Sequence, residues 1–121
     1  MKARKLYYKE CHLAGRKYYD VDEVWEELKV GTLLTLQRDY DNRHDHNAVA
    51  VMYKRRDELT GEMEEFHLGY IPRCDNDDLA PLLEMGWGEI FECRISRIKV
   101  DENYEEQIKL TIRILRNKRE Q

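Results

Sequence analysis

The residues best suited to chemistry lie in one stretch, Leu34-Thr-Leu-Gln-Arg-Asp-Tyr-Asp-Asn-Arg-His-Asp-His-Asn-Ala-Val-Ala-Val51. Two apolar segments flank a loop dense in Asp, Asn and His. Side chains of this kind cap backbone N–H groups in Asx turns, a role open to Asp41, Asn42, Asp45 and Asn47. Within the loop, His44-Asp45-His46 puts two imidazoles at i and i+2, on one side of an extended segment. His12, His67 and the cysteines could complete a metal site, although the spacing matches none of the standard zinc patterns. A metal-binding, hydrolase-type domain built on His44, Asp45 and His46 is therefore the enzymatic alternative. No G-x-S-x-G, phosphate-cradling glycine loop or H-E-x-x-H supports another chemistry, so neither catalysis nor a cofactor is expected.

Two further clusters carry polar and aromatic groups. Leu68-Gly-Tyr-Ile-Pro-Arg73 reads as a strand ending in a rigid turn, and Ala14-Gly-Arg-Lys-Tyr-Tyr19 as a glycine turn followed by two basic and two aromatic residues. As strand neighbours, Tyr18 and Tyr19 would face opposite sides, one of them the core. Tyr70 fits a core position with its hydroxyl at the surface. Arg38 is placed to pair with Asp39 or Asp41 and stitch the loop. Trp87 reads as a lid on one end of the fold. Lys54-Arg-Arg56 and Arg116-Asn-Lys-Arg119 are solvated charge runs, or phosphate tracks if they lie beside Asp45.

The elements that must position these clusters are mostly strands. Gln107 to Leu115 alternates Ile108, Leu110, Ile112 and Ile114 with Lys109, Thr111 and Arg113, the period of a half-buried strand. Glu89 to Val100 slips phase between Ile95 and Ile98, so a β-bulge is expected near Ser96-Arg97. The loop Asp101 to Glu106 joins these two. Further strands are expected at Leu6 to Leu13, Thr32 to Gln37, Ala48 to Tyr53 and Phe66 to Ile71, with Lys54 to Glu65 as a charged, mobile hairpin tip. Two short helices are expected. One is Asp22 to Lys29, with Val24, Trp25 and Leu28 on one stripe. The other carries Leu79, Leu82 and Leu83, is capped at Asp77 or Asp78, and stops at Gly86. The fold class is mainly β (α+β), a small modified OB-like barrel of about six strands and two short helices.

Composition bounds the whole. The 121 residues suit a single domain, with a core at about 6–115 and a charged tail at 116–121. Charged residues make up 38%, yet 41% hydrophobic residues and eight Tyr argue for a packed core rather than disorder. Three cysteines without a C-x-x-C fit free thiols in a reducing compartment, and the expected location is the cytoplasm. Neither a membrane span nor a signal peptide is expected, since the apolar runs are short and Met1 to Glu10 lacks an apolar core. The net charge of -4 disfavours non-specific nucleic-acid binding, so any such function must rest on local basic groups.

In their order, Gly15 to Tyr19, Leu36 to Val51, and Leu68 to Arg73 with the leucine-rich Leu79 to Gly86 resemble the HIRAN domain family. The resemblance runs from about residue 6 to residue 115 and implies a modified OB-like barrel. HIRAN domains occur fused to SNF2-type fork-remodelling helicases and as small bacterial proteins, and the helicase-linked ones bind single-stranded DNA at free 3′-hydroxyl ends. By that resemblance Asp45 accepts a hydrogen bond from the terminal hydroxyl, and Lys17 and Tyr18 hold a phosphate and stack on a base. Asn42 lies near the terminal nucleotide, Arg73 meets the backbone, and His44 stands where the helicase-linked domains favour an aromatic residue. Tyr70 joins them in shaping the pocket.

The chemistry is coherent. An ionised Asp can only accept, so beside a polyanion it suits a hydroxyl and repels a 3′-phosphate. Stacking on Tyr18 or Tyr70 would contribute about 1–3 kcal/mol per base without sequence preference. The expectation is a non-catalytic module for single-stranded DNA 3′ ends, serving repair or fork processing, with a helicase or nuclease as a further partner. The alternative is a module that docks such a protein without DNA.

Overall fold

The structure, a computed structural model, describes residues 4–116. Its six strands are β1 (Lys5–His12), β2 (Leu33–Arg38), β3 (Val49–Arg56), β4 (Met63–Tyr70), β5 (Phe91–Ile98) and β6 (Ile108–Leu115), all neighbours antiparallel in the order β1-β6-β5-β2-β3-β4. The two edge strands do not form a full ladder. The chain just beyond β1 nevertheless reaches the end of β4: Ala14 and Tyr70 exchange both backbone hydrogen bonds, each at 2.9 Å. The sheet thus curls into an OB-like, incompletely closed barrel.

The expected alternation of β6 holds for three of its four inward positions, but Ile114 is only half-buried and Thr111, expected on the wet face, is 5% exposed. Ile108, Leu110 and Ile112 are at most 1% exposed and pack with Leu13, Val49, Val51, Leu68, Ile71, Leu79 and Ile95 in one core. The phase slip in β5 is a bulge between Ile95 and Arg97, which leaves Cys93 and Ile95 in the core. All three cysteines are free; Cys11 and Cys93 are buried, and burial pushes the Cys11 thiol up to about 12.

Two expectations about elements are corrected. Asp22 to Lys29 is not an α-helix. Short 3₁₀ turns span Asp20–Glu23 and Trp25–Glu27, yet Val21, Val24 and Leu28 are still buried. Val21 and Val24 are three apart and eclipse in a 3₁₀ turn, and β-branched residues gain little from a longer helix. Half of the supposed hairpin tip Lys54 to Glu65 is strand, because opposite charges face each other across it. Lys54 pairs with Glu65 at 3.3 Å and Arg55 with Glu64 at 3.2 Å, so the tip shrinks to residues 57–62. The helix α1 (Leu79–Glu84) follows Asp78 as expected, while Trp87 is 57% exposed rather than folded down as a lid.

Candidate nucleic-acid interface

The loop after β2 is built by its own side chains. Asn42 Oδ1 accepts from the backbone N–H of His44 at 2.8 Å and of Asp45 at 3.1 Å, and Asp39 Oδ1 from that of Asp41 at 3.2 Å. These are the Asx turns that the composition called for at Asn42 and Asp45, but Asp39 caps in place of Asp41, and the Asn47 side chain instead donates to Asp77 Oδ1 at 3.4 Å. Arg38 does stitch the loop, but through backbone: its guanidinium donates to the carbonyls of Ala48 and His46, both at 3.0 Å, and lies 3.8 Å from Glu84. This leaves His44 and His46 in solvent and Asp45 half-buried.

The Asp45 carboxylate is gripped from two sides. Its Oδ1 accepts the Asn47 backbone N–H at 2.9 Å, and its Oδ2 accepts the Asn76 amide at 2.7 Å. Asn76 stands between a 3₁₀ turn, Arg73–Asp75, and α1, so the acidic loop is tied directly to the segment that carries Arg73. Arg73 itself is exposed.

The third cluster arrives through β4. Val51 pairs with Gly69, but Met52 pairs with His67, so Leu68 is an extra, bulged residue. The bulge turns His67 and Tyr70 to the same side, with ring centroids 4.9 Å apart. Gly69 is required there, since a Cβ would come within 2.3 Å of the Ala14 carbonyl oxygen. Tyr19 packs on His67 at 4.2 Å and on Tyr70 at 5.5 Å yet stays 38% exposed, and Tyr18 is 76% exposed, so neither takes the expected core position. Tyr18 and Tyr19 occupy a 3₁₀ turn and the residue after it rather than a strand, yet they still diverge. Lys17 is exposed, its ammonium 5.9 Å from the Tyr18 ring. Below them Arg16 is 4% exposed, its guanidinium between the rings of Trp25 (4.8 Å) and Tyr104 (4.5 Å) and bonded to Asp22 at 3.0 Å.

Tyr70 links the clusters. Its hydroxyl donates to Asp39 Oδ2, and burial, followed by the hydrogen bond to that carboxylate, holds its pKa above the usual phenol value. Three separate segments therefore meet: residues 15–19, 39–48 and 67–76. Of the site residues read from the sequence, Asn42, Asp45 and Tyr70 are half-buried in the seams, while Lys17, Tyr18, His44 and Arg73 stand in solvent. The sequence reading missed Asp39, Tyr19, His67 and Asn76 as parts of the site. Asp39 and Tyr19 sit inside the right motifs, whereas nothing local marks Asn76 apart from the acidic run around it. Lys54 and Arg55 are committed to cross-strand pairs on β3. The charge run beginning at Arg116 otherwise lies outside the described residues.

Among the described residues, no three His, Cys, Asp or Glu side chains group closely enough to hold a metal ion, so the arrangement offers no metal centre at His44, Asp45 and His46. No helix is long and apolar enough to cross a membrane. What the arrangement offers is a half-buried carboxylate acceptor, Asp45, held in a polar seam between the Asn47 backbone and the Asn76 amide.

Comparison with known proteins bears on the family and the fold. The sequence pattern of the HIRAN domain matches residues 6–114. Among solved structures, a protein from Lactobacillus plantarum determined by a structural genomics consortium is similar at a TM-score of 0.69 and 24% identity, over 93% of this chain and 97% of that one. The HIRAN domain of human HLTF is similar at a TM-score of 0.60 and 17% identity, over 98% of this chain and 85% of that one. No curated protein sequence matches.

Proposed function

Because the chain belongs to the HIRAN domain family, whose members are known as DNA-binding modules, we propose that it binds single-stranded DNA by a free 3′-hydroxyl end and performs no catalysis of its own. The observation that carries this reading is the Asp45 carboxylate, gripped at the meeting point of the two loop segments while retaining acceptor capacity. Each carboxylate oxygen has two lone-pair sites and each uses one here, so a terminal hydroxyl can still be accepted. A phosphate in its place would meet like charge. Lys17 and Arg73 contact phosphates, Tyr18 stacks on a base, and Asn42, His44 and Tyr70 shape the pocket. The cellular setting we propose is DNA-end processing in repair or at replication forks in the cytoplasm, with a helicase or nuclease as partner.

The test is fluorescence anisotropy with a labelled ten-nucleotide strand at low salt, ending in either a 3′-hydroxyl or a 3′-phosphate. The hydroxyl strand is expected to bind more tightly. Asp45→Ala should remove that preference, whereas Lys17→Ala should weaken both strands alike. A salt titration then counts phosphate contacts, at a slope of about -0.7 per contact. Equal effects of both substitutions on every strand would rule out an end pocket. Absence of binding to either strand would leave the protein-docking alternative.

A further inference from the structure

We infer that Asn76 is a specificity-determining residue of this site, one that acts through Asp45 without touching the strand; the inference rests on the 3′-end reading above. Asn76 is completely buried, so a bound nucleotide cannot reach it. Its amide Nδ2 donates to Asp45 Oδ2 at 2.7 Å, among the shorter side-chain bonds of the described residues. Its other side-chain atom, Oδ1, is buried without a partner. A fully buried amide normally satisfies both ends. Here the amide cannot turn over to improve its own bonding, because its oxygen would then face the carboxylate. Its backbone carbonyl also accepts the Ala80 N–H at 3.0 Å, which locks it to the first turn of α1.

The consequence is a carboxylate with a fixed plane. The Asn47 backbone N–H holds Oδ1, the Asn76 amide holds Oδ2, and these two bonds set where the remaining lone pairs point. An acceptor fixed in this way meets one position of a terminal hydroxyl, whereas a rotating Asp45 would also accept groups at other angles. Asn76 is thus a positioning residue. It transmits the rigidity of α1 to the one group that separates a hydroxyl end from a phosphate end.

The experiment measures binding of wild-type, Asn76→Leu and Asn76→Asp proteins to three probes: a 3′-hydroxyl strand, a 3′-phosphate strand, and a circular single strand that has no end. Asn76→Leu should lower the hydroxyl-over-phosphate preference at least fivefold while changing affinity for the circle less than twofold. Asn76→Asp keeps the volume, replaces the donor by a second carboxylate and should lose the preference likewise. A general structural defect would instead weaken all three probes together, and that result would overturn the assignment. A wild-type preference that survives in both variants overturns it too. A wild-type protein without hydroxyl preference overturns the 3′-end reading itself, and this role with it. Should neither variant fold, the Asn76 side-chain amide resonance of the wild type decides. It should move on adding the hydroxyl strand and stay put with the phosphate strand, and equal behaviour with both would refute the role.

Discussion

Tyr70 couples a phenol to a carboxylate at the centre of the site, and its hydroxyl matters for stability as well as shape. Tyr70→Phe would leave the Asp39 carboxylate without that donor in a half-buried seam. The expected loss is about 1–2 kcal/mol, the usual cost of orphaning such a group, read as a lower denaturant midpoint at neutral pH. The alkaline side supplies an independent check. The folded-state pKa of Tyr70 is raised, so its contribution is fully present below the unfolded phenol value of 10.0 and is lost as pH rises through the folded value. Tyr70→Phe should therefore flatten part of the stability loss above about pH 10. An unchanged alkaline slope would mean that the hydroxyl is not bound as described. By the same reasoning Tyr18, which is 76% exposed and packs on nothing in the core, should tolerate Ala with little change in stability.

Between residue and fold stand two devices that bring distant segments to the site: the bulge in β4 and the bridge from Ala14 to Tyr70. Both depend on Gly69. A methyl group there would come within 2.3 Å of the Ala14 carbonyl oxygen and 3.0 Å of Leu13 Cδ1, and the first of these is backbone that cannot swing aside. Gly69→Ala should accordingly cost on the order of 2–3 kcal/mol or more and separate the Gly15 to Tyr19 segment from β4. Amide hydrogen exchange would report this directly. The Ala14 and Tyr70 N–H groups, each bonded to the other residue's carbonyl at 2.9 Å, should lose protection well before Leu110 or Ile112 in β6. Protection that falls evenly across all strands would argue against a local role. The neighbouring Arg16, clasped by Trp25 and Tyr104, explains why Lys17 and Tyr18 can stand outward from so short a turn.

Over the whole molecule, the barrel is tied across its strands by charge as well as by its core. Glu92 on β5 reaches over β6 to Lys5 on β1, with Lys5 Nζ at 2.8 Å from one carboxylate oxygen and Arg94 Nε at 3.3 Å from the other. The hydrogen bond from Lys5 lowers the Glu92 pKa against the opposing effect of burial. The sign follows from linkage: a depressed carboxylate stabilises the fold above its unfolded value of 4.5, and that contribution disappears as pH falls through the folded value. Glu92→Gln should lower stability by about 1–3 kcal/mol at pH 7 and by progressively less under acid conditions, because the wild type loses the same contacts there. Urea midpoints at pH 7 and pH 3 would settle this, and a constant difference between the proteins would refute it.

The amino-acid sequence determined the strands, the core and the membership of the polar loop, because those follow from short-range rules. Period-2 alternation placed Ile108, Leu110 and Ile112 inside, and the broken phase after Ile95 announced a bulge. Asn42 and Asp45 cap their own loop as Asx chemistry requires. The ordered motifs carried the family resemblance for the same reason, since each is a contiguous string. What the tertiary structure alone decided is which distant groups meet. His67 and Tyr70 are three residues apart and would face opposite sides of a regular strand; the extra residue at Leu68 brings them together. Asn76 is 31 residues from Asp45, and its partner was invisible until α1 packed against the loop. The difference is physical. Local propensity and periodicity are properties of neighbouring residues, whereas a hydrogen bond between segments depends on a relative position that only the packed core sets.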